Sequence, residues 1–337
     1  MSGNSYRGIK RRDPNRSNKR VLFEKGERMK KPKRVTLREL VAKEQVLAPC
    51  IWDCMSARAA EAIGFKAALL SGGAFAGSVC GMPDIGLITA DDLVRETEYI
   101  GACSPLPCII DADDGYGESP LNAYRTTARL AKAGAMSLTV DDTTGYRGYN
   151  RWGKQLRSGQ KDGTIDHPVV SKEAWLAKMR ACLDACEGTD CMLIARTECK
   201  LKYGLDDAIE RCIRARELGV EMTLIIGLMN LEEAQKVAKQ VSGWKMWPDV
   251  MSRNGVPDVQ LKDIEALGFN LVTMHILEKG AMYGMLDFGK HVLKDQNTLY
   301  HDQHNMGMEP EEAKKAFSMD QDKHWLEMEK RFWEPKT

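Results

Sequence analysis

The stretch Pro107–Asp111 (PCIID) is a short apolar run that ends in an acid, and Ala112–Gly117 (ADDGYG) follows it. Short apolar runs bounded by turn residues are typical of buried strands. Acids gathered at a strand end repel one another and are costly to desolvate unless a cation or hydrogen-bond donors compensate. The simpler interpretation is an Asp-Gly turn or a helix cap. The alternative is a site for a hard cation such as Mg²⁺.

The same order, an apolar run followed by an amphipathic stretch, repeats along the chain. The predicted strands are Val46–Trp52, Ala67–Leu70, Pro107–Asp111, Ser137–Asp141, Cys191–Ala195, Met222–Ile226, Lys245–Val250 and Asn270–His275. The predicted helices include Ser56–Ile63, Pro120–Lys132, Lys172–Cys186, Asp206–Leu218, Leu231–Val241 and Val259–Leu267. Eight strands that alternate with helices predict an α/β fold, a (β/α)8 TIM barrel. A doubly wound sheet is the main alternative, but no Gly-x-Gly-x-x-Gly turn follows the first strand.

Composition divides the chain into three predicted parts. Residues 1–40 form a basic arm, which we expect to be mobile or packed on a neighbouring subunit. Residues 41–293 form the catalytic barrel. Residues 294–337 form an additional helical tail, whose helix starts near Pro310. Its large residues, which need a surface to cover, are Phe317, Trp325, Phe332 and Trp333. The sequence leaves open whether that surface belongs to the same barrel or to another subunit.

Composition also limits the function. The 337 residues are 43% hydrophobic and 29% charged, with a net charge of +1, which is typical of a soluble globular enzyme. We therefore expect neither nucleic acid nor membrane as a partner, and no signal peptide or transmembrane run is predicted. The ten cysteines form no Cys-x-x-Cys pair. Reduced thiols in a cytoplasmic protein are the expected state.

Polar residues collect at the predicted strand ends. In a (β/α)8 barrel the active site lies at the carboxyl ends of the strands. The residues found there are Trp52, Asp53, Ser71, Gly72, Gly73, Asp111, Asp113, Asp114, Asp141, Asp142, Arg196, Thr197 and Glu198. Several polar clusters at one face favour a functional site over an ordinary turn at Asp111. For Arg196, a structural ion pair with one of these acids is the alternative role.

These motifs resemble those of the isocitrate lyase / phosphoenolpyruvate mutase superfamily, in order from about residue 40 to about residue 290. The run DADDGYG at 111–117 is similar to the family's Asp-x-Asp-x-Gly-Tyr-Gly motif. The segments similar to its other motifs are Ser71–Gly73, Gly81–Asp84, Val140–Asp142 and Ile194–Glu198.

The resemblance implies a cofactor and residue roles. The cofactor would be Mg²⁺, with Mn²⁺ as a substitute, and Asp113 would be its direct ligand. Asp84, Asp111 and Asp141 would hold metal-bound waters, and Asp84 and Arg196 would be catalytic. Arg196, Trp52, Asp111 and the backbone N–H groups of Ser71, Gly72 and Gly73 would bind a small anionic substrate. The resemblance further implies a homotetramer in which the carboxyl-terminal helix is swapped between subunits.

The sequence departs from the lyase pattern after the fourth strand. Lyases carry a Lys-Arg/Lys-Cys-Gly-His loop there, but no cysteine lies between Cys108 and Cys182. The segment Thr143–Pro168 is instead long and basic, and we predict a lid, with an inert surface loop as the alternative. Tyr146 and His167 are candidate proton donors, and nothing in the sequence selects between them; Tyr146 is included among the catalytic candidates.

These observations lead to one main function and three alternatives. The main prediction is a Mg²⁺-dependent carbon–carbon lyase acting on a substituted 2-hydroxy or 2-oxo dicarboxylic acid through a pyruvate-type enolate. The first alternative is phosphonate chemistry, as in a phosphonomutase or a phosphonopyruvate hydrolase. The second is an oxaloacetate-type decarboxylase or hydrolase. The third is a non-catalytic barrel scaffold that binds a partner through the basic arm.

Overall fold

The barrel predicted from the repeating pattern is present. The computed structural model describes residues 35–144, 168–304 and 321–333. Eight parallel strands close a barrel in the order β1-β10-β7-β6-β5-β4-β3-β2, and β8 and β9 form a small antiparallel hairpin. The strands are β1 (Val46–Ile51), β2 (Ala68–Leu70), β3 (Cys108–Asp111), β4 (Ser137–Val140), β5 (Met192–Thr197), β6 (Met222–Ile225), β7 (Trp244–Trp247), β8 (Ser252–Arg253), β9 (Val256–Pro257) and β10 (Phe269–Met274). All eight predicted strands are confirmed, with small shifts of their bounds.

Helices surround the barrel, and the predicted ones are found. They are α1 (Leu37–Val41), α2 (Cys54–Ile63), α3 (Gly72–Ser78), α4 (Ala90–Cys103), α5 (Pro120–Ala133), α6 (Lys172–Cys186), α7 (Lys200–Tyr203), α8 (Leu205–Glu217), α9 (Leu231–Gln240), α10 (Leu261–Ala266), α11 (Leu277–Asp295), α12 (Leu299–Gln303) and α13 (Gln321–Trp333). The structure adds α3, which is glycine-rich and has a low intrinsic helix propensity. Its amino end is capped by the Ser71 hydroxyl, which accepts from the N–H of Ala74.

The strands alternate between two apolar layers. Inward side chains such as Ile109, Ile194 and Leu271 pack together inside the barrel. Their neighbours, such as Ile110 and Ala195, pack outward against the helices. Strands buried on both faces are the expected form of a parallel sheet, which explains why the sequence shows continuous apolar runs. The same alternation decides which polar residue points inward at each strand end.

The ends of the predicted barrel segment shift slightly. Leu37 is fully buried in the same cluster as the inward strand residues, so the packed chain begins before the predicted boundary at residue 41. Helix α11 crosses the other boundary and ends at Asp295. Residues 1–34, the start of the predicted tail helix near Pro310 and Phe317 lie outside the described residues.

Helix α13 does not bury its aromatic side chains. Trp325, Phe332 and Trp333 are 61%, 73% and 80% exposed. These exposures are those of a single chain, and packing on another subunit remains a prediction. Of the helices that the structure describes, none combines the length and the apolar character needed to cross a membrane.

Candidate active site

A cavity of about 570 Å³ opens at the carboxyl ends of the barrel strands. Polar side chains from several strands line it: Ser71, Asp84, Asp111, Thr139, Arg196, Asp249, Thr273, His275 and Glu278. Apolar residues, among them Leu224, Met246 and Met251, complete the wall. This is the mixture of apolar surface and a few convergent polar groups that is typical of a small-molecule site.

Strand alternation explains why these polar residues face the cavity. Inward residues recur every second position, so Ile109 is followed inward by Asp111, and Ile194 by Arg196. On β10 the inward residue Leu271 is followed by Thr273 and then by His275. These three strands thus carry apolar side chains inside the barrel and a polar one at its mouth.

Arg196 is the centre of a charged network, the acidic edge, formed with Asp111, Asp113, Asp141 and Glu198 at the ends of β3, β4 and β5. Its Nη1 donates to Asp111 Oδ1 at 2.7 Å, its Nη2 donates to Glu198, and its Nε lies 3.7 Å from Asp141 Oδ2. Burial alone would lower the pKa of the guanidinium, but the surrounding carboxylates outweigh it and raise the pKa well above its usual value. Arg196 is therefore a permanent cation that faces the cavity.

Asp113 and Asp111 present their carboxylates to the same place. A Cβ built on Gly72 would lie 3.8 Å from Asp113 Oδ2 and 3.9 Å from Asp111 Oδ2. Asp113 has a φ of 45°, in the left-handed region, which Asp tolerates better than most residues. Its carbonyl accepts from the N–H of Asp141 at 2.7 Å, which fixes the loop against β4. Asp113 lines a second cavity, of about 480 Å³, and is not among the described residues that line the 570 Å³ cavity.

Asp141 is fully buried, and its two oxygens differ. Oδ1 accepts from the backbone N–H and the hydroxyl of Thr143, at 2.9 and 2.6 Å. Oδ2 has no hydrogen-bond partner among the described residues. Because a buried carboxylate oxygen is costly without a donor, Asp141 can still accept from a bound water or ligand.

Asp142 and Asp114, which also belong to the sequence motifs, have structural roles. Asp142 accepts from the Glu198 N–H at 2.8 Å and from the Thr197 hydroxyl, and pairs with Arg211 at 3.0 Å. Burial raises the pKa of Asp142 to about 6 despite these donors. The Asp114 carbonyl accepts from the buried Lys178 ammonium at 2.8 Å, and its carboxylate accepts from the Tyr116 N–H. Burial also raises the pKa of Asp114. These acids hold strand ends together.

The donor set fits a hard cation held largely through water. Within residues 35–144, 168–304 and 321–333, no three His, Cys, Asp or Glu side chains converge as a complete metal site. A single direct ligand needs no such convergence, because Mg²⁺ keeps several waters and takes few direct protein ligands. The Oδ2 atoms of Asp111 and Asp113 both lie close to Gly72, and Asp141 Oδ2 has no hydrogen-bond donor among the described residues. Oxygen donors of this kind suit Mg²⁺ or Mn²⁺.

Ser71 corrects one prediction. Its backbone N–H donates to the carbonyl of Ile51 at 3.1 Å, so the expectation that this group binds a carboxylate is wrong. The N–H groups of Gly72 and Gly73, in the first turn of α3, have no acceptor within the described structure, so both can still bind an anion. The Ser71 hydroxyl remains on the cavity wall.

Asp84 and Trp52, which were also predicted to belong to the site, lie in different places. Asp84 is exposed beside the cavity, where its Oδ2 lies 3.0 Å from the position of a Cβ on Gly73. Trp52 is buried in the cluster that packs against the helices, and it is not among the described residues that line the cavity. Substrate contact by Trp52 therefore has no support in this geometry.

The sequence analysis missed a second polar group, the histidine edge, formed by Ser71, Asp249 and His275 at the ends of β2, β7 and β10. His275 Nδ1 lies 3.1 Å from Asp249 Oδ2, and His275 Nε2 lies 3.2 Å from Ser71 Oγ. The hydrogen bond to Asp249 raises the pKa of His275. The alternation of β10, continued past Thr273, would have placed His275 inward, but no local motif marks it.

The remaining predicted residues cannot be placed. Tyr146, His167 and the basic residues of the predicted lid lie outside the described residues. A barrel whose carboxyl-end cavity holds an arginine among carboxylates has the arrangement of a (β/α)8 enzyme site for a small anion.

Comparison with known proteins gives the family. The family described as phosphoenolpyruvate phosphomutase matches residues 37–287. The chain belongs to this family, within the isocitrate lyase / phosphoenolpyruvate mutase superfamily, so the resemblance found in the motifs is confirmed. Members of the family are enzymes, lyases and mutases among them.

Relatives of different activity are similar to the chain. The 2,3-dimethylmalate lyase of Eubacterium barkeri is 28% identical over 236 residues, which cover 70% of this chain and 77% of the relative. The oxaloacetate decarboxylase of Rhodopseudomonas palustris is 31% identical over 207 residues, 61% of this chain and 67% of the relative. A crystal structure of 2,3-dimethylmalate lyase superposes with a TM-score of 0.71 at 24% identity, and covers 88% of this chain and 99% of that one.

Proposed function

We propose that the protein is a Mg²⁺-dependent carbon–carbon lyase for a substituted 2-hydroxy or 2-oxo dicarboxylic acid. The observation that carries this proposal is the acidic edge, in which Arg196 faces the cavity among Asp111, Asp141 and Glu198. A cation beside the buried Asp141, whose Oδ2 has no hydrogen-bond partner among the described residues, suits a substrate that is itself anionic and gains charge during reaction.

Asp113 would hold the metal directly, and Asp84, Asp111 and Asp141 would hold it through water. When bound, Mg²⁺ would supply Lewis acidity that stabilises negative charge developing on the substrate. The N–H groups of Gly72 and Gly73 would bind one substrate carboxylate, since both lie beside this cluster and have no acceptor in the described structure. The Arg196 fork would bind a second oxygen pair by exchanging one of its present carboxylate partners.

Bond cleavage then follows from this placement. In a 2-hydroxy substrate the C2–C3 bond breaks, and its electron pair passes from C3 into the carboxylate that C3 carries, as an enolate. In a 2-oxo substrate such as oxaloacetate the C3–C4 bond breaks instead, and its electron pair passes into the C2 carbonyl group as an enolate. The hydroxyl proton of a 2-hydroxy substrate leaves to one of the cavity carboxylates. A proton must afterwards reach the carbon that carried the broken bond. A 2-hydroxy substrate then gives a 2-oxo acid and a smaller carboxylic acid, and oxaloacetate gives pyruvate and CO₂.

The test is a 2-oxo acid release assay on alkyl-substituted malates, citrates and oxaloacetate, with Mg²⁺ or with a chelator. We expect turnover of at least one substrate that requires Mg²⁺, and loss of that turnover to background in Asp113→Ala. Glu265→Ala, which removes an exposed acid of α10, should retain activity. Full Mg²⁺-dependent turnover by Asp113→Ala would contradict the proposal.

Phosphonate chemistry is a second candidate, favoured by the match to the phosphoenolpyruvate phosphomutase family and by the absence of the lyase cysteine. The two candidates differ in the bond that is broken. Phosphorus NMR of the protein with phosphonopyruvate and Mg²⁺ separates them. A new phosphorus signal would support the phosphonate activity, and an unchanged spectrum together with release of 2-oxo acid from a malate would exclude it.

A further inference from the structure

Three side chains of the histidine edge form a hydrogen-bonded chain that ends in the cavity. Asp249, His275 and Ser71 follow β7, β10 and β2, and all three line the cavity that also contains Asp111 and Arg196. The two links are the 3.1 Å contact between Asp249 Oδ2 and His275 Nδ1 and the 3.2 Å contact between His275 Nε2 and Ser71 Oγ. Both separations are within hydrogen-bonding distance.

The bonds at Ser71 determine where its hydroxyl hydrogen can go. A hydroxyl has one hydrogen and two lone pairs. The Ala74 N–H donates to Ser71 Oγ at 3.3 Å, and a protonated His275 donates from Nε2 to the same oxygen. Both lone pairs are then used, so the hydroxyl hydrogen is directed to a group in the cavity. When His275 is neutral, Nε2 instead accepts this hydrogen. The protonation state of His275 thus determines whether Ser71 donates to a ligand.

The surroundings of His275 favour the protonated state. The carboxylates that act on it are Asp249 after β7, Asp111 on β3 and Glu278 on α11. Asp249 Oδ1 is buried and has no hydrogen-bond partner within the described residues, so this carboxylate relies on His275 for compensation. Among the described residues that line the cavity, Arg196 is the one permanent cation. Burial, followed by Asp249 and Asp111, raises the pKa of nearby Cys50 well above its usual value, so that thiol stays neutral.

We propose that Ser71, His275 and Asp249 form a proton relay that protonates the carbon from which the substrate bond has departed. This inference rests on the proposed function and supplies the proton donor that the absent lyase cysteine would provide. In the step, a C–H bond forms as the Ser71 O–H bond breaks, and Ser71 takes the Nε2 proton of His275. The enolate electron pair becomes the new C–H bond. His275 is left neutral, still bound to Asp249, and regains a proton from solvent.

The roles within the relay differ. Ser71 is the catalytic residue because its hydroxyl reaches the substrate. His275 and Asp249 act through it and are positioning residues that set its protonation. A positioned proton donor contributes about 10²- to 10⁴-fold to the rate. Without the relay, the enolate would take its proton from water on either face.

The experiment follows the stereochemistry of this protonation. Cleavage of a 3-alkyl malate in D₂O gives an acid of the form R–CHD–COO⁻, and the wild type should produce one enantiomer in excess. We expect Ser71→Ala and His275→Gln to lose 10²- to 10⁴-fold in kcat and to give nearly racemic deuterated product. Ser71→Thr, which keeps the hydroxyl, should restore the stereochemistry. A slow variant that keeps the wild-type enantiomeric excess would overturn the relay.

Two matched controls separate chemistry from folding. Ser171→Ala also removes a helix cap, the bond from the Ala174 N–H at 3.2 Å, but does so outside the cavity. His291→Gln removes a second His–Asp contact of the described residues, in which His291 Nδ1 lies 3.4 Å from Asp295 Oδ2. Both variants should keep the rate and the stereochemistry of the wild type. Equal losses in these controls and in the relay variants would assign the effect to stability and overturn the proposal.

An NMR titration tests the relay without turnover. The ring signal of His275, assigned by its loss in His275→Gln, should titrate above the ordinary histidine range in the wild-type protein. In Asp249→Asn its midpoint should fall, and the alkaline limb of the pH–rate profile should move to lower pH. If none of the malates, citrates or oxaloacetate is cleaved, the proposed function fails. The titration still tests whether Asp249 sets the protonation of His275. An unchanged midpoint of the His275 titration in Asp249→Asn would overturn the proposed relay.

Discussion

The acidic edge and the histidine edge occupy two arcs of the same barrel mouth but are built differently. The acidic edge comes from the neighbouring strands β3, β4 and β5, and it packs four carboxyl groups around Arg196. The histidine edge comes from β2, β7 and β10, and its residues are separated by up to 204 positions in the chain. One arc binds and stabilises charge in our account, while the other transfers a proton. Under this proposal, binding and proton transfer are positioned by separate parts of the fold.

The largest effect is expected at the centre of the acidic edge. Arg196→Lys keeps the charge but loses the planar fork that contacts Asp111 and Glu198. We expect kcat/KM to fall by about 10²- to 10³-fold, as on removal of one preorganised donor to developing charge. Steady-state kinetics measures this loss. If the kcat/KM of the variant stays within about threefold of the wild-type value, Arg196 has only the structural role of an ion pair.

Arg211→Lys is the corresponding change at a buried arginine outside the cavity. Arg211 donates to Asp142 and to the Val170 carbonyl, both at 3.0 Å. We expect the free energy of unfolding to fall by about 1–3 kcal/mol, because some of these buried acceptors lose their donor. Urea denaturation measures the loss. The kcat at a temperature where the variant is folded should remain that of the wild type, and a fall as large as in Arg196→Lys would contradict the division of the two arginines.

A smaller effect is expected where α3 touches Asp84. A Cβ at Gly73 would lie 3.0 Å from Asp84 Oδ2, and Asp84 is exposed and free to shift. Overpacking of a rigid site costs about 1–3 kcal/mol. Because the Asp84 side chain can move aside, we expect a smaller cost in Gly73→Ala, so that kcat/KM falls by about fivefold or less. Gly77→Ala is the control in the same helix, because its added Cβ meets nothing within 4 Å. A loss of equal size in Gly77→Ala would show that the helix, not Asp84, is responsible.

The sequence predicted the acidic edge better than the histidine edge for a physical reason. Asp111, Asp113 and Arg196 lie in local motifs, where the run of acids at a strand end is itself a signal. Ser71 was predicted, but as a backbone donor, and its N–H is used by the barrel. Asp249 and His275 each stand alone in the sequence, and only barrel closure brings them together.

The fold was more predictable than the site. Eight apolar runs of strand length specify the barrel, because strands buried on both faces must be apolar throughout. The sequence alone does not distinguish, among the acids at the carboxyl ends of the strands, those with a structural role from those of the site. Asp142 and Asp114 stand beside Asp141 and Asp113, yet they hold Arg211 and Lys178. The contacts of each side chain in the folded protein separate them, since Asp142 pairs with Arg211 whereas Asp141 Oδ2 has no hydrogen-bond partner among the described residues.

The most direct test is calorimetric titration of oxalate, a mimic of the enolate, in the presence of Mg²⁺. The account predicts that the wild-type protein binds oxalate only with Mg²⁺, that Asp113→Ala loses this binding, and that His275→Gln retains it. Binding would then belong to the acidic edge, and proton transfer to the histidine edge. Wild-type affinity in Asp113→Ala, or a loss in His275→Gln as large as in Asp113→Ala, would contradict the central claim.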